Sequence, residues 1–302
     1  MQKIQRSYFR NLAVILQFVH KVFRKLKVTS CAEKIQKVKI RATAKSASND
    51  QINAFIGDHA HKLFQEALGQ TIQDNQFALK TFLDEAEHRK LTNSIVEWGK
   101  QIYSDYKNDN LVEGFRNNNT KEIIIDFKKL DDFALLAGTR QSIRKFKPTP
   151  ISETVIMKLL ASGIAAPSSC NRQSWRFKIF TSKVDKAYIA NIRNVNFLKD
   201  APLIICVLIN TELYRNRQEA RITGYMDASA ASMNIITAAT ASGLGSCWVN
   251  FIASIGRQGI TEFKKRFKIH NKYEPINLIA IGHPSQNIVK PRRLDVSDYI
   301  LP

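Results

Sequence analysis

The sequence predicts an α+β domain preceded by an α-helical N-terminal extension. Three observations carry that expectation. Two continuous apolar runs, 202–209 (PLIICVLI) and 276–281 (INLIAI), have the length of buried strands. Apolar residues before residue 106 recur instead at steps of three and four. Near residue 130 both charge and texture change. With 44% apolar and 24% charged residues, 12 Gly and 8 Pro in 302 residues, the chain folds around a core, and wholesale disorder is excluded.

The elements follow in order. From Tyr8 to Leu26, Leu12, Leu16, Val19, Phe23 and Leu26 form an apolar stripe among Arg6, Arg10, Lys21, Arg24, Lys25 and Lys27, an amphipathic basic helix. The apolar run inside it is too short and interrupted to span a bilayer, and no small-residue cleavage site follows. Residues 1–48 hold twelve basic residues and one acidic residue, Glu33. Residues 29–50 read as a linker with one brief alternation, Ile35 to Ile40, of strand type. Residues 51–106 carry helical periodicity through Ile52, Phe55, Ile56, Leu63, Phe82, Leu83, Ile95 and Trp98, enough for two or three helices. His59 and His61 are two apart and cannot share a helical face, so they read as packing or surface histidines rather than metal ligands. The polar, Asn-rich stretch 104–121 marks the boundary. The expected organisation is thus 1–48, basic helix and linker; 49–120, helical extension and Asn-rich linker; 121–302, the α+β domain.

Within that domain, Glu153 to Ile164 reads as a helix capped by Ser152. Phe177 to Phe180 is a short strand, and Met226 to Ser242 a long helix of small residues ended by Gly243. Trp248 to Phe251 supplies another strand. The four cysteines, Cys31, Cys170, Cys206 and Cys247, form no C-x-x-C pair and lie near no ligand-spaced histidines, so neither a disulfide framework nor a zinc site is indicated. A reduced, cytoplasmic protein is expected. No groove-reading motif or interleaved aromatic pattern supports a nucleic-acid partner.

Four segments carry candidate chemistry. In Arg140-Gln141-Ser142-Ile143-Arg144, an extended chain places two guanidinium groups and a hydroxyl on one side, which suits a phosphate and a polyol. The segment 165–175 (AAPSSCNRQSW) stops a helix at Pro167. It then offers Ser168, Ser169, Asn171 and Gln173 as mixed donors and acceptors for a heterocycle edge. Cys170 in this segment reads as a small buried filler, not a nucleophile. Leu244-Gly245, in the Gly-x-Gly step after the small-residue helix, allows close backbone approach to a ligand. Finally Ile281-Gly282-His283-Pro284 is trailed by Arg292 and Arg293. No Ser-His-Asp or paired-carboxylate arrangement is present, so no side-chain catalyst is assigned.

Taken in this order and at these spacings, the segments resemble the FMN-dependent nitroreductase family over about residues 131–302. That family opens on R-x-S-x-R/K, continues with A-P-S-x-x-N-x-Q-P-W, follows with an Ala-rich helix holding an Asp near its start (here Asp227) and leading to G-L-G, and closes on a G-x-P turn with a trailing basic residue. The resemblance implies an α/β/α sandwich around a mixed, mainly antiparallel sheet. It implies FMN as cofactor and NAD(P)H as a transient donor passing hydride in a ping-pong scheme to a small-molecule acceptor such as a nitroaromatic, quinone or enone. Homodimers sharing two sites across their interface are implied as well. Arg140, Ser142, Arg144, Arg292 and Arg293 would hold the phosphate and ribityl chain. Pro167, Ser168, Ser169 and Asn171 would meet the flavin from the partner subunit, and Leu244 and Gly245 would approach the ring through their backbone. Ser174 stands where the family has Pro. Substrate-selecting loops are expected within Asn191–Tyr225 and Phe251–Lys272. Nothing carries over to residues 1–130. For residues 1–106 two roles stand beside the enzyme reading: a basic helix docking on an anionic membrane over a degenerate flavin scaffold, or a helical module binding a partner protein.

Overall fold

The computed structural model describes residues 29–67, 75–108, 125–285 and 292–301, which fall into two compact units on either side of the Asn118–Asn119 junction. The amphipathic basic helix expected over Tyr8–Leu26 lies outside the described residues. Among the described residues, no helix is long and apolar enough to cross a membrane.

The N-terminal unit contains α1 (Thr29–Ser46), α2 (Asn49–Ala67), α3 (Asn75–His88) and α4 (Ser94–Lys107). Helix α1 overturns the expectation of a linker with a strand over 29–50. Its Ala, Lys, Gln and Arg are good helix formers. Ile40, Ala44 and Ala47 lie on one face, packed into the core formed by Ile52, Ile56, Leu63, Leu79 and Phe82. Alanines give little hydrophobic signal in a sequence, while Val38, which supported the strand reading, is exposed. A reciprocal cap starts α2: the Ser48 N–H donates to Gln51 Oε1 (2.8 Å) and the Gln51 N–H to Ser48 Oγ (3.3 Å). Arg89 closes the end of α1 by donating to the carbonyls of Ala47 (2.7 Å) and Lys45 (2.9 Å). His59 stacks on Phe82 with ring centroids 5.8 Å apart, and its Nδ1 meets Asn75 Oδ1 at 3.1 Å. Burial holds its pKa below the ordinary histidine value, against the opposing pull of Asn75 and Asp58.

The C-terminal unit runs α5 (Phe127–Thr139), α6 (Glu153–Ile164), β1 (Trp175–Phe180), α7 (Lys183–Arg193), β2 (Leu203–Asn210), α8 (Arg217–Ala241), β3 (Gly245–Asn250), α9 (Ile252–Arg266) and β4 (Tyr273–Gly282). The sheet order is β1-β2-β4-β3, every neighbouring pair antiparallel; one isolated parallel bridge joins Ser142 to Ser246. All of β2 is buried because both faces are covered. Alternate side chains divide between them: Leu203, Ile205, Val207 and Ile209 pack with Leu159 of α6 and Ile235 of α8. Ile204, Cys206 and Leu208 pack with Ile189 of α7 and Phe263 of α9. This is a three-layer α/β/α sandwich.

Ser152 caps α6 as expected, accepting from the Val155 N–H at 3.4 Å, and Gly243 takes the left-handed φ of +72° past α8. Helix α8, however, starts at Arg217 rather than Met226. Asn216 caps it, accepting from the Glu219 N–H at 2.9 Å. The first turns, RQEARIT, carry too little apolar pattern to be read as helix. Within Asn191–Tyr225 the connecting segments are 194–202 and 211–216, and within Phe251–Lys272 the segment 267–272 follows α9. Gly224 lets α8 press on the sheet, since a Cβ there would sit 2.7 Å from Ile209 Cδ1.

Phe263 is fully buried against the rings of Phe180, Phe251 and Phe267. Truncation in Phe263→Ala is expected to cost about 3–5 kcal/mol of stability, read by urea or thermal denaturation of the full chain.

Candidate active site

After α5 the chain extends along the edge of the sheet. The Ile143 N–H donates to Ser246 O at 2.9 Å and the Lys147 N–H to His283 O at 2.8 Å. Ile143 is buried over Gly245, where an added Cβ would lie 2.7 Å from Ile143 Cγ1, so this crossing requires glycine. The strip holds Arg140 and Ser142 half-buried and Arg144 exposed. The Ser142–Ser246 bridge lays the strip along the start of β3; there burial pushes the Cys247 thiol up in pKa, and the Arg144 and Arg140 charges oppose that shift. Among the described residues no carboxylate pairs with either arginine. Leu244, buried, donates its N–H to Ala239 O at 2.9 Å, delivering the chain from α8 into Gly245.

The segment after α6 is wound tightly. Past Pro167, residues Ser169–Asn171 form a single 3₁₀ turn, and Cys170, Asn171 and Gln173 adopt left-handed φ values of +52°, +50° and +49°. Ser168 Oγ accepts from the Gln173 N–H at 2.9 Å, and Asn171 Oδ1 accepts from Gln173 Nε2 at 3.2 Å. This leaves the Ser168 hydroxyl hydrogen and the Asn171 amide hydrogens as donors. Cys170, expected as a buried filler, is only half-buried, because the left-handed turn swings it out of the core; Cys206 and Cys247 are buried.

What fixes this loop is a hydrogen-bonded group that sequence reasoning did not assemble. The Ser169 N–H donates to Asp227 Oδ1 at 3.0 Å, the Tyr214 hydroxyl donates to Asp227 Oδ2 at 2.8 Å, and the buried Ser174 hydroxyl bonds the Tyr214 hydroxyl. Arg172 lies over the Tyr214 ring at 5.3 Å, donates to Ser169 Oγ at 3.3 Å and pairs with Glu219 at 3.1 Å. Burial pushes the pKa of Asp227 above the usual carboxylate value. The bonds from Ser169 and Tyr214 and the Arg172 charge work against that shift. Burial likewise raises Tyr214. Ser174, which stands where the family has Pro, ties the turn to Tyr214 through its hydroxyl. The signal was absent because Ser174, Tyr214 and Asp227 are far apart in sequence.

The predicted residues fall into two groups that one chain does not bring together. Arg140, Ser142, Arg144, Leu244 and Gly245 lie at the end of the sheet where Gly245 faces Gly282 and Leu203 faces Ile281. Pro167, Ser168, Ser169 and Asn171 precede Trp175, which faces Ile209 at the opposite end. Asp227, which holds Ser169, is separated from the end of α8 at Ala241 by about 21 Å of helix at 1.5 Å per residue. Arg292 and Arg293 are exposed on the C-terminal segment. No cluster of three or more metal-ligating side chains occurs among the described residues.

The model of the nitroreductase family matches residues 137–195 and 193–283, and the C-terminal unit belongs to that family. A protein of Methanothermobacter thermautotrophicus named as an NADH dehydrogenase/NAD(P)H nitroreductase is 29% identical over 49% of this chain and 75% of its own length. A Bacillus subtilis protein named as an NAD(P)H nitroreductase is 26% identical over 52% of this chain and 92% of its own. A solved structure from Parabacteroides distasonis, bearing the same NADH dehydrogenase/NAD(P)H nitroreductase name, superposes with a TM-score of 0.50 at 29% identity, covering 55% of this chain and 95% of that one. These likenesses cover about half of the chain.

Asp227 supplies a pH test. Because its folded pKa is raised above the ordinary 3.8, its contribution to stability is fully present below that value and is lost as pH rises through the folded pKa. Asn at this position can still accept from Ser169 and donate to Tyr214. The Asp227→Asn variant is therefore expected to gain stability relative to the wild type as pH rises from 4 towards 7, measured as the difference in urea midpoint between the two proteins.

Proposed function

We propose that the C-terminal unit is an FMN-dependent NAD(P)H oxidoreductase of nitroreductase type, acting as a homodimer on a small-molecule acceptor such as a nitroaromatic, quinone or enone. The observation that carries this reading is the strip after α5: two guanidinium groups without carboxylate partners among the described residues, and a hydroxyl beside the Leu244-Gly245 backbone. A phosphate, a polyol and a flat ring ask for that donor set in that order. Arg140 and Arg144 hold the phosphate, with Arg292 and Arg293 completing it, and Ser142 meets the ribityl chain. The Leu244 and Gly245 backbone approaches the ring edge.

The loop at the other end of the sheet then serves the partner subunit. Pro167, Ser168, Ser169 and Asn171 present a rigid turn whose free donors suit the carbonyl and nitrogen acceptors of a flavin edge. The protomer's exposed apolar surface supports the pairing: Phe127, Leu130, Phe133 and Leu135 of α5, and Met226 and Met233 of α8, are all exposed in the single chain. FMN held by Arg140, Ser142 and Arg144 would supply two-electron hydride chemistry between a reduced nicotinamide and the acceptor. The protein orients the ring, neutralises the phosphate and excludes water. The domain limits, with a helical extension before residue 121, belong to the same proposal, as does cytoplasmic residence.

Purified full-length protein is expected to be yellow, with about one FMN per chain. Arg140→Ala/Arg144→Ala is expected to fold and dimerise normally but lose FMN by more than tenfold in affinity. Placing charge on the α5 face, as in Leu130→Asp/Phe133→Asp, is expected to yield monomers that also lose FMN, read by sedimentation and visible absorption. A folded wild-type dimer that stays colourless after incubation with FMN would contradict the reading.

A further inference from the structure

At the end of the sheet opposite Arg140 and Arg144, helices α8 and α9 enclose a cleft of about 650 Å³, within the ~300–1,000 Å³ typical of small-molecule sites. Its wall carries Arg217, Arg221, Arg257 and Lys264 against a single carboxylate, Glu274. That carboxylate is already engaged, accepting from the Tyr225 hydroxyl at 2.8 Å. Glu219, the acidic residue in the first turn of α8, is taken by Arg172 at 3.1 Å. Among the described residues no carboxylate pairs with Arg217, Arg221 or Arg257.

These charges stand where their own environment opposes them. Arg217 is the first residue of α8 and Arg221 lies one turn on, both at the positive end of the helix. Lys264 is half-buried, and burial pushes its pKa below the usual lysine value, with the Glu274 charge opposing that shift and the Arg217 charge adding to it. Arg217, Arg221 and Arg257 are exposed at the mouth of the cleft, and Lys264 donates to Asn271 O at 3.2 Å. Four cations thus border a concavity that holds one carboxylate, an excess of positive charge that suits an anionic ligand. Three of the four are guanidinium groups, whose planar forks match phosphate oxygens. The rings of Tyr214 and Tyr225 line the same space.

We propose that this cleft binds a phosphate-bearing ligand of nucleotide size, at a site separate from the one that Arg140 and Arg144 form. Tyr214 connects the two: it lines the cleft and bonds Asp227, which holds Ser169 in the loop assigned to the partner's flavin. A ligand against Tyr214 is therefore two hydrogen bonds, through Asp227, from Ser169 of that loop. Its phosphates come either from the electron donor itself, an identity that rests on the oxidoreductase reading, or from a separate nucleotide. Binding to the cleft does not depend on that reading.

The test is calorimetric titration of the full-length protein with adenosine 2′,5′-bisphosphate at fixed salt. Saturable binding at one per chain is expected. It should weaken at least tenfold in Arg217→Ala/Arg257→Ala, while FMN content stays at the wild-type level. It should persist in Arg140→Ala/Arg144→Ala, and in Lys265→Ala/Lys268→Ala, which removes the same charge outside the cleft. Absence of saturable binding, or equal weakening in the Lys265/Lys268 variant, would overturn the proposal; so would loss on changing Arg140 and Arg144 alone. The two sources separate in steady-state kinetics. If the donor fills the cleft, the bisphosphate competes with NADPH and the Arg217/Arg257 variant raises the KM for NADPH at least tenfold. If a separate nucleotide fills it, the bisphosphate binds without competing with NADPH, and the Arg217/Arg257 variant leaves the KM for NADPH unchanged.

Discussion

The antiparallel register of β2 on β4 places every candidate functional feature of the C-terminal unit. All eight residues of β2 are buried, and its pairing runs from Leu203 opposite Ile281 to Asn210 opposite Tyr273. A slip of one residue would turn Leu203, Ile205, Val207 and Ile209 away from α6 and α8 and exchange the two cores. With that register fixed, the sheet has two ends of different chemistry. One carries the strip Arg140–Arg144 and Gly245, and the other carries the loop before Trp175 and the α8–α9 cleft. A flavin needing both strip and loop requires a second copy of the chain, so oligomerisation and cofactor binding become one problem.

Asp227 links packing to chemistry at the second end. A carboxylate in the middle of a helix rich in Ala and Ser is costly to bury, and it is retained with two neutral donors and a guanidinium around it. Those partners are the Ser169 amide, the Tyr214 hydroxyl and Arg172, all belonging to the loop or to the wall of the cleft. The left-handed turn at Cys170, Asn171 and Gln173 is strained in isolation, and this network is what over-determines it.

Legibility in the sequence followed the kind of signal each feature carries. Strands β2 and β4 were plain because unbroken apolar runs of that length have few alternatives, and the arginine strip was plain because its residues are neighbours in sequence. Helix α1 was missed because the face it buries past Ile40 is Ala44 and Ala47, too small to register as a stripe. The first turns of α8 carry no helical stripe because Arg217, Gln218, Glu219 and Arg221 are polar; they are helical through Asn216 and through Gly224, which lets the helix meet the sheet. The Ser174–Tyr214–Asp227 group and the cationic cleft were invisible for another reason. Their members come from separate elements, and only the folded sheet brings them together.

The central claim, that each flavin site takes its arginine strip from one subunit and its loop from the other, is tested most directly by mixing two damaged proteins. Arg140→Ala/Arg144→Ala removes the strip, and the bulky Asn171→Trp blocks the loop. Each alone should bind no FMN. Isolated heterodimers of the two contain one site with both lesions and one with neither, so the account predicts one FMN per heterodimer. If strip and loop served the same chain's flavin, both sites would carry a lesion and the heterodimer would stay colourless.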